Sequence, residues 1–473
     1  MIRYVAICKE HFMLISPPNL TQIKTTLTEK VFLGNEPTPE LLAILTVYFV
    51  QGILGLARLA VSFFLKDELN LSPAQVAALM GIAALPWVIK PVFGFLSDSL
   101  PILGYRRRSY IVFSGLLGTV SWLAMATVVD SATTATLAIL LSSLSVAISD
   151  VIVDSLVVIR IQQQSQKEAG SLQSLCWGVS ALGGLITAYI SGSLLEQFST
   201  QVVFGITASF PLIVSCVAML IHEQRVSDRP NFSTVRHQTQ QLWQGMKQKA
   251  IWLPTLFLFI WQSTPTADSA FFFFTTNELG FTPEFLGRVR LVTSLASLVG
   301  VAVFQRYLRH LSFRLILGWS TFIASALGMT TLLLVTHTNR LLGIDDHWFS
   351  LGDSLILTVI GQITFMPVLV LSAKICPPGV EATFFALLMS IWNLGGLLSH
   401  ESGALLTHAL GVTDTNFDNL WILVVITNLT TLIPLPFLGW LPHSTEEMDS
   451  ANIPNPEPEM GANHPPKSPL LGS

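Results

Sequence analysis

Twelve stretches of this chain are long and apolar enough to be buried in a lipid bilayer, and they constrain the fold more than anything else in it. They run over residues 41–65, 74–98, 109–129, 133–158, 171–193, 201–221, 251–275, 285–305, 315–336, 351–374, 380–404 and 418–441. A helix needs about 20 mostly apolar residues to cross a hydrocarbon core of about 30 Å. A barrel strand needs only about 10, alternating in polarity. Backbone polar groups in lipid must find partners within the protein, so the stretches predict helices. Composition agrees: 51% of the 473 residues are hydrophobic and 11% charged, against about 25% charged in an average soluble chain. That is too little charge to cover the surface of soluble domains. The four cysteines (Cys8, Cys176, Cys216, Cys376) are scattered with no CxxC pair, which excludes a disulfide scaffold. A net charge of −4 is too mild to suggest a nucleic-acid partner. The expectation is an all-α, multi-pass membrane protein, monomeric, with no metal and no cofactor.

Orientation follows from the basic residues. Of the 25 lysines and arginines, 19 fall in the two tails and in the connections after spans two, four, six, eight and ten. Lys66, Arg288, Arg290 and Arg340 are assigned to the opposite side, and Arg58 and Lys90 lie within spans. The positive-inside rule then puts both termini in the cytoplasm, with the plasma (inner) membrane as the expected location. Met1–Met13 is short, is interrupted by Lys9 and Glu10, and lacks a small-residue cleavage site, so it does not read as a signal peptide. The longest polar connection, 222–250, divides the chain into a tail (1–39), a six-helix half (40–221), the connection itself, a second six-helix half (251–442) and a tail (443–473). The last segment is rich in Pro, Asn, Glu and Ser and is expected to be disordered. A faint repeat relates the halves: Gly94 precedes Arg108 by the same interval as Gly300 precedes Arg314. A 6+6 plan is the pseudo-symmetric, major-facilitator-like architecture, with substrate held near the midplane between halves.

Polar groups inside spans are costly and are functional candidates by default. Span one carries Gln51 and Arg58; span two carries Lys90 before Pro91 and ends at Asp98. Span four has Ser149, Asp150 and Asp154, and span seven has Trp261, Gln262, Thr264 and Asp268. Gln362 lies in span ten, which ends at Lys374; Glu381, Asn393, His400 and Glu401 lie along span eleven. Asp150 and Asp154 are four apart and share a helix face. Carboxylates that close interact strongly unless a cation stands near, so Arg58 and Lys90 are expected to meet them across the bundle, as structural ion pairs or as a substrate and proton site. Asp98 with Arg106, Arg107 and Arg108 reads as a gate latch rather than a ligand set. Lys374 and Glu381 can snorkel to the interface. Prolines within spans each remove a backbone hydrogen bond and allow a bend.

Pro86-Trp87-Val-Ile-Lys90-Pro91-Val-Phe-Gly94-Phe-Leu-Ser97-Asp98, followed by Gly104-Tyr105-Arg106-Arg107-Arg108, resembles the folate–biopterin transporter family. Its Gly94…Asp98…Arg core is also similar to the general major-facilitator motif between helices two and three, from which the insertion Ser99–Leu103 departs. Ser149-Asp150-Val-Ile-Val-Asp154 and Gly379-Val-Glu381-Ala382-Thr383 resemble the same family, and the likeness covers roughly 38–442. It implies a secondary transporter of folates and pterins of the cyanobacterial type, coupled to protons. It also implies that helices one, four, seven and ten line the cavity.

The residues suit that cargo. A pterin edge presents adjacent N–H donors that a carboxylate accepts in parallel, which Asp150 or Asp154 offers. A glutamate carboxylate needs a cation such as Arg58, and a flat aromatic middle suits Trp261. Two readings compete. One is a facilitator for another organic anion or drug. The other is an intramembrane enzyme: Asp150-xxx-Asp154 is reminiscent of magnesium-diphosphate sites, but no second acidic motif follows on another helix. No GxxxxGK[ST] loop is present, which disfavours an ATP-driven pump.

Overall fold

The computed structural model describes residues 28, 29, 32, 35–162, 166–225, 247–308, 311–375 and 381–442; most of both tails and the middle of the 222–250 connection lie outside the described residues. Among the described residues, ten helices are long and apolar enough to cross a bilayer: α1 Pro39–Glu68, α2 Pro73–Ser97, α3 Arg108–Thr127, α4 Ala132–Val157, α5 Leu175–Gln197, α6 Thr200–Leu220, α8 Pro283–Leu308, α9 Phe313–Val335, α10 Asp346–Ser372 and α12 Leu420–Trp440. The other two expected spans are different. Helix α11, Glu381–Ala409, has 29 residues but carries Asn393, His400 and Glu401, which lower its hydropathy.

Helix α7 is broken. Its first part, α7a, is Lys249–Gln262, and its second, α7b, is Asp268–Phe273, where the sequence predicts one helix over 251–275. The cause is local. Pro265 has no N–H to give the Trp261 carbonyl four residues back. The Thr264 hydroxyl donates to that carbonyl instead, at 3.3 Å, and the chain leaves the helical path. Ser399 on α11 holds the break in place. Its hydroxyl donates to the Thr264 carbonyl at 2.6 Å, and its carbonyl accepts from the Thr266 N–H at 3.4 Å.

Pro91 does something similar in α2. The Trp87 carbonyl loses its helical donor, and the Asn393 side chain of α11 supplies one at 3.2 Å. A sequence-local defect thus becomes a bond between the two halves of the molecule.

Helices α1–α6 form one bundle, in which α3 packs on α4 and α6 while α1 packs on α5; in the second, α8 and α9 pack on α10 and α7a packs on α11. Each bundle has two apolar cores stacked along its length. In the first, one gathers around Leu41, Ile44, Ile152 and Leu172 and the other around Phe64, Leu65, Val76 and Phe204. In the second they centre on Phe257, Leu317 and Phe384, and on Phe274, Leu334 and Leu420. In a bilayer such packing rests on van der Waals contact and the close approach of small residues, not on expulsion of water.

The halves meet along α2–α11 and α5–α8. Call the face where α1 begins the near face and the opposite one the far face. Helix α11 packs chiefly on the far-face part of α2, Pro73–Ala83. On the same side α5 and α8 cross at two glycines: a Cβ on Gly287 would stand 2.9 Å from the Gly192 Cα, so neither position tolerates a side chain in this arrangement. Lys66 donates to the Asn277 side chain at 2.8 Å, and the rings of Phe63 and Phe272 meet edge-on at 5.3 Å. Phe273 of α7b is fully buried in the first bundle's core. The run Phe271–Phe274 is packing surface, and the far face is closed.

Candidate functional site

Three intramembrane charges, Lys90, Asp150 and Asp154, gather in the first half. Lys90, on the segment of α2 that Pro91 opens, forms an ion pair with Asp150 and lies 3.5 Å from an oxygen of Asp154. The other Asp154 oxygen accepts from the buried Tyr48 hydroxyl at 2.6 Å. The Lys90 ammonium also stands 5.5 Å from the Trp87 ring centre. Asp150 is 15% exposed and Asp154 48%, so the second is the more open of the two. The cluster contains two carboxylates and one cation.

Arg58 does not join it. Its side chain is exposed and makes no ion pair among the described residues. It stands instead within electrostatic reach of Arg290, which sequence assigns to the far-side loops but which lies inside α8. Arg290 crosses to the first half, where both terminal nitrogens donate to the Gly55 carbonyl at 3.3 Å and one reaches the Ser191 hydroxyl at 3.4 Å. The expected meeting of Arg58 with the aspartates fails on helix rise. Arg58 is ten residues beyond Tyr48 on α1, about 15 Å along the axis.

Two cavities occupy the region between and behind these groups. A space of about 340 Å³ between the halves is lined by Ala84 and Trp87 on one side and by Gln262, Asn393, Gly396 and His400 on the other. A second cavity, about 560 Å³, extends into the second half, where the α7 break forms part of its wall. Gln262, Gly396 and His400 line both spaces. Trp261 lines the larger one; it stacks at 5.5 Å on Trp392 and donates its ring N–H to Thr321 at 3.1 Å. Asp268 also lines it. Gln51 borders a small void in the first half, with its amide nitrogen buried and without a partner among the described residues. Gln362 packs against Gly300 of α8 and lines neither large cavity.

The gate motif lies on the near face. Gly94 sits on α2, and the Asp98 side chain lies outside the described residues. The loop reverses through Leu103 and Gly104, both with positive φ. The backbone N–H groups of Arg106, Arg107 and Arg108 then donate to the Glu223 carboxylate over 2.7–3.2 Å. The Arg107 guanidinium donates to the Ser155 hydroxyl of α4. Glu223, just past α6, was not singled out in the sequence because it belongs to a polar connection rather than a motif. The side chains of Lys374 and Glu381 lie outside the described residues. Glu401 rests against Gly81 of α2.

Two helical bundles closed at one face, a discontinuous helix beside a midplane cavity and unshielded charges within spans define a secondary transporter of the major-facilitator type. The fold aligns with the nucleoside transporter NupG at a TM-score of 0.65 and 13% identity, covering 85% of this chain and 98% of that one. The chain belongs to the BT1 family, which it matches over residues 51–458. It is 64% identical over 422 residues to the folate-biopterin transporter of Synechocystis sp. (strain ATCC 27184 / PCC 6803 / Kazusa), covering 89% of this chain and 85% of that protein. It is 31% identical over 402 residues to folate transporter 2 of Plasmodium falciparum (isolate 3D7), covering 84% and 88%. The family expected from the helix-two and helix-four motifs is therefore the right one, and the enzyme alternative falls away, because the relatives are transporters.

Proposed function

We propose that the protein carries folates, and pterins with them, across a membrane by alternating access of its two halves, with protons as the coupling ion. The observation that carries this reading is the 64% identity, over 89% of the chain, to a protein named for folate and biopterin transport. On this reading the near face is cytoplasmic, both termini lie in the cytoplasm, the membrane is the inner one, and the working unit is a monomer open toward the cytoplasm. The Lys90–Asp150–Asp154–Tyr48 cluster handles the proton. Arg58 and Arg290, one from each half, hold the carboxylates of the glutamate end; both lie about 10–15 Å below the far ends of their helices, where a guanidinium without a counter-ion is costly.

Uptake of labelled 5-formyltetrahydrofolate by proteoliposomes, with and without an imposed proton gradient, tests the reading. Accumulation that collapses with the gradient is expected; no uptake or exchange under any gradient would refute it. The arginine pair has its own test. Arg58→Ala and Arg290→Ala should each weaken folic acid binding about tenfold or more, the value of a charge-assisted contact, while binding of biopterin, which has no carboxylate, stays within about twofold. Arg58→Lys should retain part of the affinity, because the charge survives but the two-pronged geometry does not. Equal losses for both ligands would remove the pair from the carboxylate site.

A further inference from the structure

We propose that the 560 Å³ cavity inside the second half is where the pterin ring seats, with Asp353 as the carboxylate that reads its edge. The inference rests on the folate and pterin reading above and deepens it. Asp353 lies seven residues into α10, inside a membrane span, and lines this cavity. The Thr330 hydroxyl donates to one of its oxygens at 2.5 Å and the Thr331 hydroxyl to the other at 2.9 Å. It makes no ion pair among the described residues. Each carboxylate oxygen can accept more than one hydrogen bond, so two parallel acceptor positions remain open. That is the complement of a flat ring presenting an N–H beside an amino group.

The remainder of the wall fits the same chemistry. The volume falls in the range of small-molecule sites, about 300–1,000 Å³. No lysine or arginine lines it, so it is unsuited to the anionic end of a folate. The side-chain oxygens of Ser325, Thr427 and Asn428, whose donors are taken up by backbone carbonyls, provide acceptors, while Trp261 and Phe271 provide aromatic surface. Irregular backbone at membrane depth is tolerated where it lines a cavity, and residues 264–267 of the α7 break do so here. The cavity continues toward the space between the halves past His400, whose ring Nδ1 is buried and has no hydrogen-bond partner among the described residues. Asp150 and Asp154, the candidates for this role by spacing, already share Lys90.

Two variants of the full-length protein test the proposal from opposite directions. Asp353→Asn turns one acceptor into a donor facing the ring's donors. Gly361→Leu puts a side chain into the cavity: Gly361 lines it, and a Cβ there meets no atom within 4 Å. Equilibrium binding of folic acid, biopterin and the headless fragment p-aminobenzoyl-glutamate is measured for each in nanodiscs. Both variants should weaken folic acid and biopterin by about tenfold or more and leave the headless fragment within about twofold. If wild type binds folates and both variants match it, the pterin seat is wrong and the folate reading stands. If wild type binds none of the three, both fall. Equal weakening of all three ligands overturns the assignment of the head group to this cavity. So does a sodium-dependent component of binding that Asp353→Asn abolishes with biopterin affinity intact, which would make the cavity a cation site.

Discussion

Lys90→Ala is expected to abolish gradient-driven folate accumulation, by about a hundredfold or more. Among the described residues Lys90 is the one cation that pairs with either Asp150 or Asp154. Asp150 is 15% exposed, and breaking such a pair from one side leaves a poorly solvated charge, at a cost of about 3–5 kcal/mol. The loss is compounded because the second carboxylate sits one helical turn away, so the alanine variant must place two like charges together or bind extra protons. Lys90→Arg keeps the charge and should retain partial transport. A double variant, Lys90→Ala with Asp150→Asn, removes the unpaired charge, and its yield of folded protein should recover while accumulation stays lost. Uptake normalised to reconstituted protein, beside detergent thermal stability, separates the two effects. Normal accumulation by Lys90→Ala would make the cluster a bystander.

What the sequence revealed and what it withheld have separate physical causes. Span length, charge asymmetry and the central connection are properties of the chain along its length, and bilayer thickness converts them almost directly into helices and halves. Asp150 and Asp154 share a face for the same reason: helical periodicity is local. Arg58 and Lys90 were both expected as their partners, since depth in the bundle depends on where each helix begins, and only the three-dimensional arrangement brings Lys90 to their level and leaves Arg58 away from it. The α7 break was written in Pro265, yet prolines are common in membrane helices; what turns this one into a break is Ser399, far along the chain. Arg290 was misassigned because a basic residue early in a span resembles one in the loop before it. Asp353 was passed over for a similar reason, near the start of its span, although a carboxylate seven residues into α10 was signal enough to single it out.

The second large effect concerns Asp154. One lysine and two carboxylates are electrically balanced only when one carboxylate carries a proton. The structure distinguishes them where spacing does not. Asp150 is the better buried and is the direct ion-pair partner of Lys90; Asp154 is about half exposed, held by Tyr48 at 2.6 Å and only within 3.5 Å of the lysine. Asp154 is therefore the member that can exchange a proton with its surroundings without dismantling the pair. Asp154→Asn keeps the shape, keeps the Lys90–Asp150 pair and removes the odd charge. It should lose accumulation against a gradient almost entirely, yet still exchange labelled for unlabelled folate at a rate within about threefold of wild type, since exchange needs no net proton movement. Asp150→Asn strips Lys90 of its nearer partner and should impair both activities. Measuring accumulation and exchange on the same vesicles decides the matter. If Asp154→Asn accumulates folate normally, the proton site lies elsewhere, and Asp268, exposed at the start of α7b beside the larger cavity, is the next carboxylate to replace.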